Sequence, residues 1–374
     1  MRTINFSINV PGIEGRLAIN AKSYDAMHRE YSNEGLALLA KAGRQLSPLN
    51  RKLCIEYARD VLGGPQYAPG LQVYAAFAGV FKEGWIPNNY YGTYVVPTRN
   101  GAYGKISARR GLAFPLLQSD SLPDRIYLIN GRFFDRYMNS VPDGMVADIA
   151  FKDDAKVVFK LDSSQQGKGV HIVQRSDFST DKLLSLGEGV LQQFIQQHEV
   201  FRQLSPEAVA TLRLTTVMDP SGPPVLRAAF LRMGRAGNNH IVTDAEIDVA
   251  IDIHSGAFHD CAYTSNWEPC THHPDTGHAF RNQILPGFSE SVALVLKLHG
   301  KLSYVQNIGW DIAINAEGKP VLMEWNGGHN DIVFSEATTG PCFRGLGWEH
   351  IHRTHPHLNR SPPSRIAKLL NGRH

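Results

Sequence analysis

Cysteine is scarce in this chain, and what there is lies scattered. Cys54, Cys261, Cys270 and Cys342 are spread over 374 residues, too few and too far apart for a disulfide framework. Long apolar runs are missing as well: no stretch approaches the ~18 residues of a membrane-spanning helix. The opening Met1-Arg2-Thr3-Ile4-Asn5-Phe6 alternates and holds no apolar h-region. Neither sign of charge is in excess, and a net charge of +3 gives no argument for nucleic acid. No internal repeat is visible. Also absent is a Walker A loop, which needs Gly five positions before the Gly of its Gly-Lys pair and Ser or Thr after the Lys. Asp162 and Gly169 stand at those positions around Gly167-Lys168. What remains is ordinary globular composition, 43% hydrophobic and 20% charged, with length for one large core or two to three smaller ones. The expectation is a cytoplasmic protein acting on small molecules, with no nucleic acid and no membrane span.

Against this plain background one segment carries chemistry. Trp310-Asp311-Ile312-Ala313-Ile314-Asn315 and Val321-Leu322-Met323-Glu324-Trp325-Asn326 read as two strands joined by a turn at 315–319. Glu324 and Asn326 are two apart and share a face, and Asp311 can face them from the partner strand. Three hard oxygen ligands with room for water suit Mg²⁺ or Mn²⁺ bound together with phosphates. An ordinary hairpin with polar edges fits the same pattern, so the segments upstream have to decide.

Upstream, residues 157–173 read as a strand, a polar Gly-containing flap and a second strand. Gly167 and Gly169 let backbone amides approach a phosphate. Lys160 ends the first strand within reach of an α- or β-phosphate, and Lys168 adds charge in the flap. Between flap and hairpin lies an apolar strand, Val190-Leu191-Gln192-Gln193-Phe194-Ile195, which ends in amide side chains able to meet an adenine edge. It is followed by Gln196-Gln197-His198-Glu199. A further strand, 210–217, carries one arginine, Arg213, among apolar residues and Thr. Burying it is costly unless an anion meets it, either a phosphate or a local carboxylate.

In this order the pieces resemble the ATP-grasp superfamily, and among its members the sugar-transfer-associated family of polysaccharide-biosynthesis proteins. The resemblance rests on Gln197-His198, Thr211-Leu212-Arg213, His273-Pro274-Asp275-Thr276-Gly277, Ile284-Leu285-Pro286-Gly287-Phe288, Ile308-Gly309-Trp310-Asp311-Ile312-Ala313 and Glu324-Trp325-Asn326. It spans roughly residues 126 to 345. It implies an α+β ATP-grasp fold, in which two subdomains clasp ATP, preceded by an N-terminal helical or mixed domain. It also implies a site. ATP is held by Arg132, Lys160, Gly167, Lys168, Gly169, Gln192, Gln193, Phe194, Ile195 and Glu199. Asp311, Glu324 and Asn326 hold one or two Mg²⁺ or Mn²⁺ ions, and Arg213 is catalytic. The sequence departs from the family at two points: Arg132 replaces the upstream phosphate-binding Lys, and Gln192 stands where Glu is common.

The domains expected are 1–125, N-terminal; 126–190, the small subdomain with the flap; 191–349, the large subdomain with the metal hairpin; and 350–374, a basic tail with a short helix near 366–370. Residues 23–62 and 289–302 read as helical and 124–129 as the strand that opens the catalytic region. Trp85, Tyr90, Tyr91, Tyr94 and Tyr103 cluster in the first domain, as a packing seam or as a cleft wall. Cys261, Cys270, His272, His273 and His278 lie close together, but their spacing matches no tight structural zinc pattern. Asp252 reads as a turn residue, with the acceptor substrate as a second reading.

The activity implied by the resemblance is carboxylate activation: an acylphosphate forms from ATP, and an amine or other nucleophile then displaces phosphate. The substrates implied are an amino acid and a sugar acid or amino sugar of a surface polysaccharide, with association to a glycosyltransferase. Two other readings stay open, a phosphotransferase on the same scaffold and a non-catalytic ATP-binding partner of a glycosyltransferase.

Overall fold

In the computed structural model, residues 21–152, 154–162, 169–218, 222–235, 237 and 246–359 are described. Gly167 and Lys168 of the flap, and the helix expected near 366–370, lie outside them. No helix of the described residues is long and apolar enough to cross a membrane.

Two compact units are present. One holds residues 21–98, 266–268 and 331–359, the other 99–265 and 269–330. The first is helical. Ala21–Lys41 and Pro48–Asp60 take up most of the stretch 23–62 expected to be helical, with a non-helical link at 42–47. The second of these begins with Ser47 accepting from Asn50 N at 3.2 Å and with proline in the first turn, a start that meets otherwise orphaned amides. Ala68–Ala78 is buried nearly all round and stops at Gly79, whose φ of 74° closes the turn. Trp85, Tyr90, Tyr91 and Tyr94 are core side chains of this unit, whereas Tyr103 is exposed and belongs to the other unit.

The division at 98/99, rather than at 125, follows from polar stitches. Asn100 Nδ2 donates to Asn307 O and Gly327 O, both at 2.7 Å, and its Oδ1 accepts from Asn307 N. Residues after 330 return to the first unit. There Glu336 accepts from Ile86 N and Cys342 N, at 2.9 and 2.7 Å, and Tyr90 Oη donates to Trp348 O.

The second unit is built on two antiparallel sheets. Its strands in chain order are β1 Asp124–Ile129, β2 Arg132–Asp135, β3 Ser140–Val141, β4 Lys156–Leu161, β5 Val170–Gln174 and β6 Gly189–Gln193. They are followed by β7 Thr211–Met218, β8 Pro224–Met233, β9 Ile247–Ile251, β10 Phe258–Thr264, β11 Pro269–Cys270, β12 Asn307–Ile314 and β13 Pro320–Asn326. The smaller sheet runs β3-β2-β1-β6-β4-β5 and the larger β11-β10-β9-β8-β7-β12-β13.

Each sheet has one apolar face. Ile126, Leu128, Phe133, Val157, Phe159 and Leu191 form a core with the helix Asp143–Phe151. In the larger sheet Leu212, Leu214, Leu231, Val249, Trp310 and Ile312 pack in a core with Val295 and Leu298 of the helix Phe288–Lys301. The opposite faces carry the polar side chains of the site, although Tyr127 and Val190 of the smaller sheet join the second core.

That second core contains a polar chain. Trp310 Nε1 donates to Thr216 Oγ1 at 2.7 Å, the hydroxyl lies 2.6 Å from His299 Nδ1, and His299 Nε2 lies 2.8 Å from Val305 O. Every group is satisfied when His299 is neutral, with Nε2–H donating to Val305 and Nδ1 accepting from Thr216. Burial holds its pKa down at about 4, from an ordinary 6.5. As pH falls below 6.5 the unfolded chain takes up this proton first, so the stabilisation is present above 6.5 and is lost toward 4. The drop corresponds to roughly 3 kcal/mol. Urea midpoints of the wild type should therefore fall between pH 7.5 and 4.5 by clearly more than those of His299→Gln; equal slopes would remove His299 from the acid response.

Candidate active site

Strand register decides which side chains meet. Arg213 on β7 opposes Asp311 on β12, which opposes Glu324 on β13, so all three project from the polar face. Asn326, two residues on, joins them. The β12–β13 pairing is irregular: Asp311 opposes Glu324, but Ile312 opposes Leu322. Met323 is the extra residue of this bulge, which lets Leu322 face the core while Glu324 faces away from it.

Arg213 and Asp311 form a pair whose side chains are each 6% exposed. Nε donates to Oδ1 at 2.6 Å and Nη2 to Oδ2 at 2.9 Å. Nη1 donates to Asn330 Oδ1 at 2.9 Å, and Asn330 Nδ2 donates to Thr215 Oγ1 at 2.8 Å. Burial opposes ionisation of Asp311, but the Arg213 charge and hydrogen bonds outweigh it and hold the carboxyl below its ordinary value. Gly309 makes room for this arrangement, since a Cβ there would lie 2.1 Å from Asn330 Oδ1.

The three proposed ligands keep oxygen free. Asn326 Nδ2 donates to Asp311 Oδ2 at 3.1 Å, which turns its own Oδ1 away. A carboxylate offers about four lone pairs, and Asp311 has used three of them on Arg213 and Asn326. Glu324 is half-buried, and its Oε2 accepts from Arg110 Nη2 at 3.0 Å. This set is hard and fits Mg²⁺ or Mn²⁺. No group of three or more His, Cys, Asp or Glu gathers among the described residues, so an ion here would rest on two carboxylates, one amide and the oxygens of its ligand.

The polar face of the smaller sheet supplies the complementary charge. Lys160 on β4 opposes Val190, and Gln192 opposes Val158, which puts Lys160 and Gln192 on the face away from the Phe159 core. Burial pushes the Lys160 ammonium down from its ordinary value, while the charges of Glu324, Asp124 and Asp311 pull it up. Gln192 Nε2 donates to Asp124 Oδ1 and Tyr127 Oη to Asp124 Oδ2, both at 2.7 Å. An ionised Asp124 can only accept, so the Gln192 amide is oriented with its oxygen free. Burial raises the Asp124 carboxyl against the hydrogen bonds of Tyr127 and Gln192. Lys160 thus lies between an amide-bearing hinge and an oxygen-rich hairpin on the facing sheet. Mixed helices and antiparallel sheets in this arrangement are consistent with the α+β ATP-grasp fold.

Residues 178–346 match the model of the sugar-transfer associated ATP-grasp family. The match begins well after residue 126, where the resemblance was expected to start, so Arg132, Lys160 and Gly169 lie outside it. Solved structures similar to this chain include N5-carboxyaminoimidazole ribonucleotide synthetase in its ADP complex, at 12% identity and TM-score 0.39, covering 65% of this chain and 50% of that one. Biotin carboxylase from Campylobacter jejuni gives 11% and 0.44, over 90% and 71% of the two chains. D-alanine–D-alanine ligase from Bacillus anthracis gives 12% and 0.40, over 68% of each. The chain thus spans half the length of the first of these. No curated protein matches it.

The other residues expected to contact nucleotide are spread more widely. Gly169 is buried, and its carbonyl accepts from Leu161 N at 3.0 Å. Gln193 is exposed at the end of β6, Phe194 and Ile195 are half-buried, and Lys156 Nζ stands 3.7 Å over the Phe194 ring. Arg132 is exposed at the start of β2 opposite Ile129, on the same face as Tyr127 but with β1 and β6 between it and β4. Glu199 opens a short helix with its carboxylate engaged by Arg202 and Gln203, so it would have to exchange those partners to meet a ribose. Asp252 Oδ1 accepts from His254 N, Ser255 N and Ser255 Oγ, the bonding of a turn. His273 is buried with Nε2 3.1 Å from Gly234 O.

Three participants escaped the sequence reading. Arg110 lies before the motifs, in a segment assigned to the N-terminal domain. Asn330 sits in the polar run Gly327-Gly328-His329-Asn330, which reads as a loop. Asp124 opens a strand as its one acid. The signal that was available is Gly309: glycine inside a strand marks a close approach. Gly309→Ala should destabilise the fold by roughly 1–3 kcal/mol, as overpacking does. Introduced into an Asn330→Ala background, which clears the space, the same change should cost clearly less. Additive losses in urea denaturation would mean that Asn330 is not what Gly309 accommodates.

Proposed function

We propose that this chain is an ATP-dependent ligase that activates a carboxylate as an acylphosphate and joins it to an amine or another nucleophile. The single observation that carries this reading is the facing of Lys160 and Gln192 on one sheet toward Arg213, Asp311, Glu324 and Asn326 on the other. A base-and-polyphosphate ligand fits that order of groups from end to end. The setting, manufacture or modification of a surface polysaccharide with a sugar acid or amino sugar as substrate, takes its support from the sugar-transfer description of the matched family.

In this reading the free oxygen of Gln192 accepts from the adenine amino group. Lys160, buried and flanked by carboxylates, holds the α- or β-phosphate by its charge, and Arg132, Gln193, Phe194, Ile195, Glu199 and the flap residues Gly167, Lys168 and Gly169 complete the nucleotide contacts. Asp311, Glu324 and Asn326 would hold the divalent ion or ions, which neutralise phosphate charge when bound. A substrate carboxylate oxygen bonds to the γ-phosphorus as the bond to ADP breaks. The amine then bonds to the carbonyl carbon, phosphate leaves, and the amine loses a proton. Arg213 retains two N–H donors beyond the three it gives to Asp311 and Asn330. With these it stabilises the transferring phosphoryl group, while its fork fixes Asp311.

Phosphate release from ATP with pooled carboxylates and amines tests the reaction, and stoichiometric hydroxamate on adding hydroxylamine separates a ligase from a phosphotransferase. Glu324→Gln should lower turnover by roughly 10²-fold or more with little change in melting temperature; full turnover in that variant would remove the metal assignment. Arg213→Lys keeps the charge but cannot span both Asp311 oxygens. Its single-turnover rate should therefore fall much further than its ATP affinity measured by calorimetry. An unchanged rate would reduce Arg213 to a structural ion-pair partner.

A further inference from the structure

The site's two carboxylates are each matched by a guanidinium of their own. Asp311 has Arg213. Glu324 has Arg110, which belongs to no motif of the family match and lies outside its range. Arg110 does more than meet Glu324. Its Nη1 donates to Leu161 O at 2.8 Å and Asp162 O at 3.1 Å, and its backbone N donates to Asp162 Oδ1 at 3.1 Å. The guanidinium is thus clamped to the end of β4 while Nη2 holds Glu324 Oε2 on the facing sheet. Its side chain is 17% exposed, so water screens this charge only partly. The Lys160 ammonium adds a further positive charge on the same side, and among the described residues it makes no ion pair within 4.0 Å.

A bare divalent cation entering here meets two carboxylates whose charge is already answered by Arg213 and Arg110, with Lys160 beside them. A polyphosphate reverses that balance, because it brings several negative charges for the same cations to meet. Resting on the nucleotide reading above, we propose that Arg110 neutralises Glu324 in advance, so that a divalent ion enters this site with its polyphosphate and not before it.

The proposal makes a prediction of opposite sign to a positioning role. If Arg110 merely aims Glu324 at the metal, removing it weakens metal binding. If it neutralises Glu324, removing it strengthens the binding of metal alone. Mn²⁺ binding without nucleotide, read from the loss of the free-ion electron paramagnetic resonance signal, should be weak in the wild type. It should tighten by about tenfold or more in Arg110→Gln, the scale of one charge removed at close range near a protein surface. Arg110→Lys keeps the charge and should stay near the wild type. Equal or weaker Mn²⁺ binding in Arg110→Gln overturns the proposal.

A second measurement needs no variant. In equilibrium dialysis the wild type should retain Mn²⁺ with tripolyphosphate far better than Mn²⁺ alone, and equal retention again overturns the proposal. Failure of the nucleotide reading looks different. The protein would then retain Mn²⁺–tripolyphosphate no less well than Mn²⁺ with a non-hydrolysable ATP analogue, while the Arg110→Gln effect on bare Mn²⁺ persisted.

Discussion

The bond between Arg213 and Asp311 is what the rest of the polar face is arranged around. Two charges sit on adjacent interior strands of a seven-stranded sheet, nearly sealed from water, where an unpaired ion would be expensive. Their bidentate contact makes the burial tolerable, and the neighbouring residues follow from it. Asn330 exists at its position to take the third guanidinium donor, Thr215 to take the Asn330 amide, and Gly309 to leave room for both. Asn326 is oriented because Asp311 has an oxygen to offer it. A conventional apolar interior would stabilise the sheet as well or better. The ion pair instead fixes the carboxylate of Asp311 and, through it, the amide of Asn326.

A common logic links this to the smaller sheet. In both, alternation sends one set of side chains into an apolar core and puts the polar side chains of the site on the other face. The polar set of the smaller sheet is likewise organised by one buried acid: Asp124 receives Tyr127 and Gln192 and so sets which end of an amide is presented. The bulge at Met323 belongs to the same economy of faces. Without it Leu322 would turn toward the cleft, and the apolar side of β13 would lose a residue to water. Arg110 touches both sheets, through Leu161 and the adjoining Asp162 on one side and Glu324 on the other.

Much of this was legible in the sequence, and unevenly so. The hairpin around Asp311 and Glu324 could be read because alternation is a local rule and both strands carry it within a few residues. The strand from 124, the helix near 289 and the turn after Asn315 were readable for the same reason. Interactions between distant segments were not. Nothing near Arg213 announces that its anion is Asp311, although a local carboxylate was one of the two partners considered, and nothing near Arg110 announces Glu324. The division between units escaped because residues 99–123 look like the aromatic, Gly- and Pro-rich stretch before them. They join the other unit through Asn100, a single side chain whose three backbone partners lie more than 200 positions away. Local pattern specifies elements; long-range hydrogen bonds decide which unit an element joins.

The strand order of the smaller sheet has a bearing on how this protein could be dissected. Strand β6 lies between β1 and β4, yet of those three only β6 falls within residues 178–346, the family-matched segment. A fragment cut to that segment would carry β6 with both edges bare, a strand stripped of its neighbours and open to pairing with other chains. It would also leave behind Lys160 and Arg110. The boundary drawn by family resemblance and the boundary of a foldable piece are therefore different lines. Any transplant of this site onto another scaffold has to begin near residue 99, where the second unit begins.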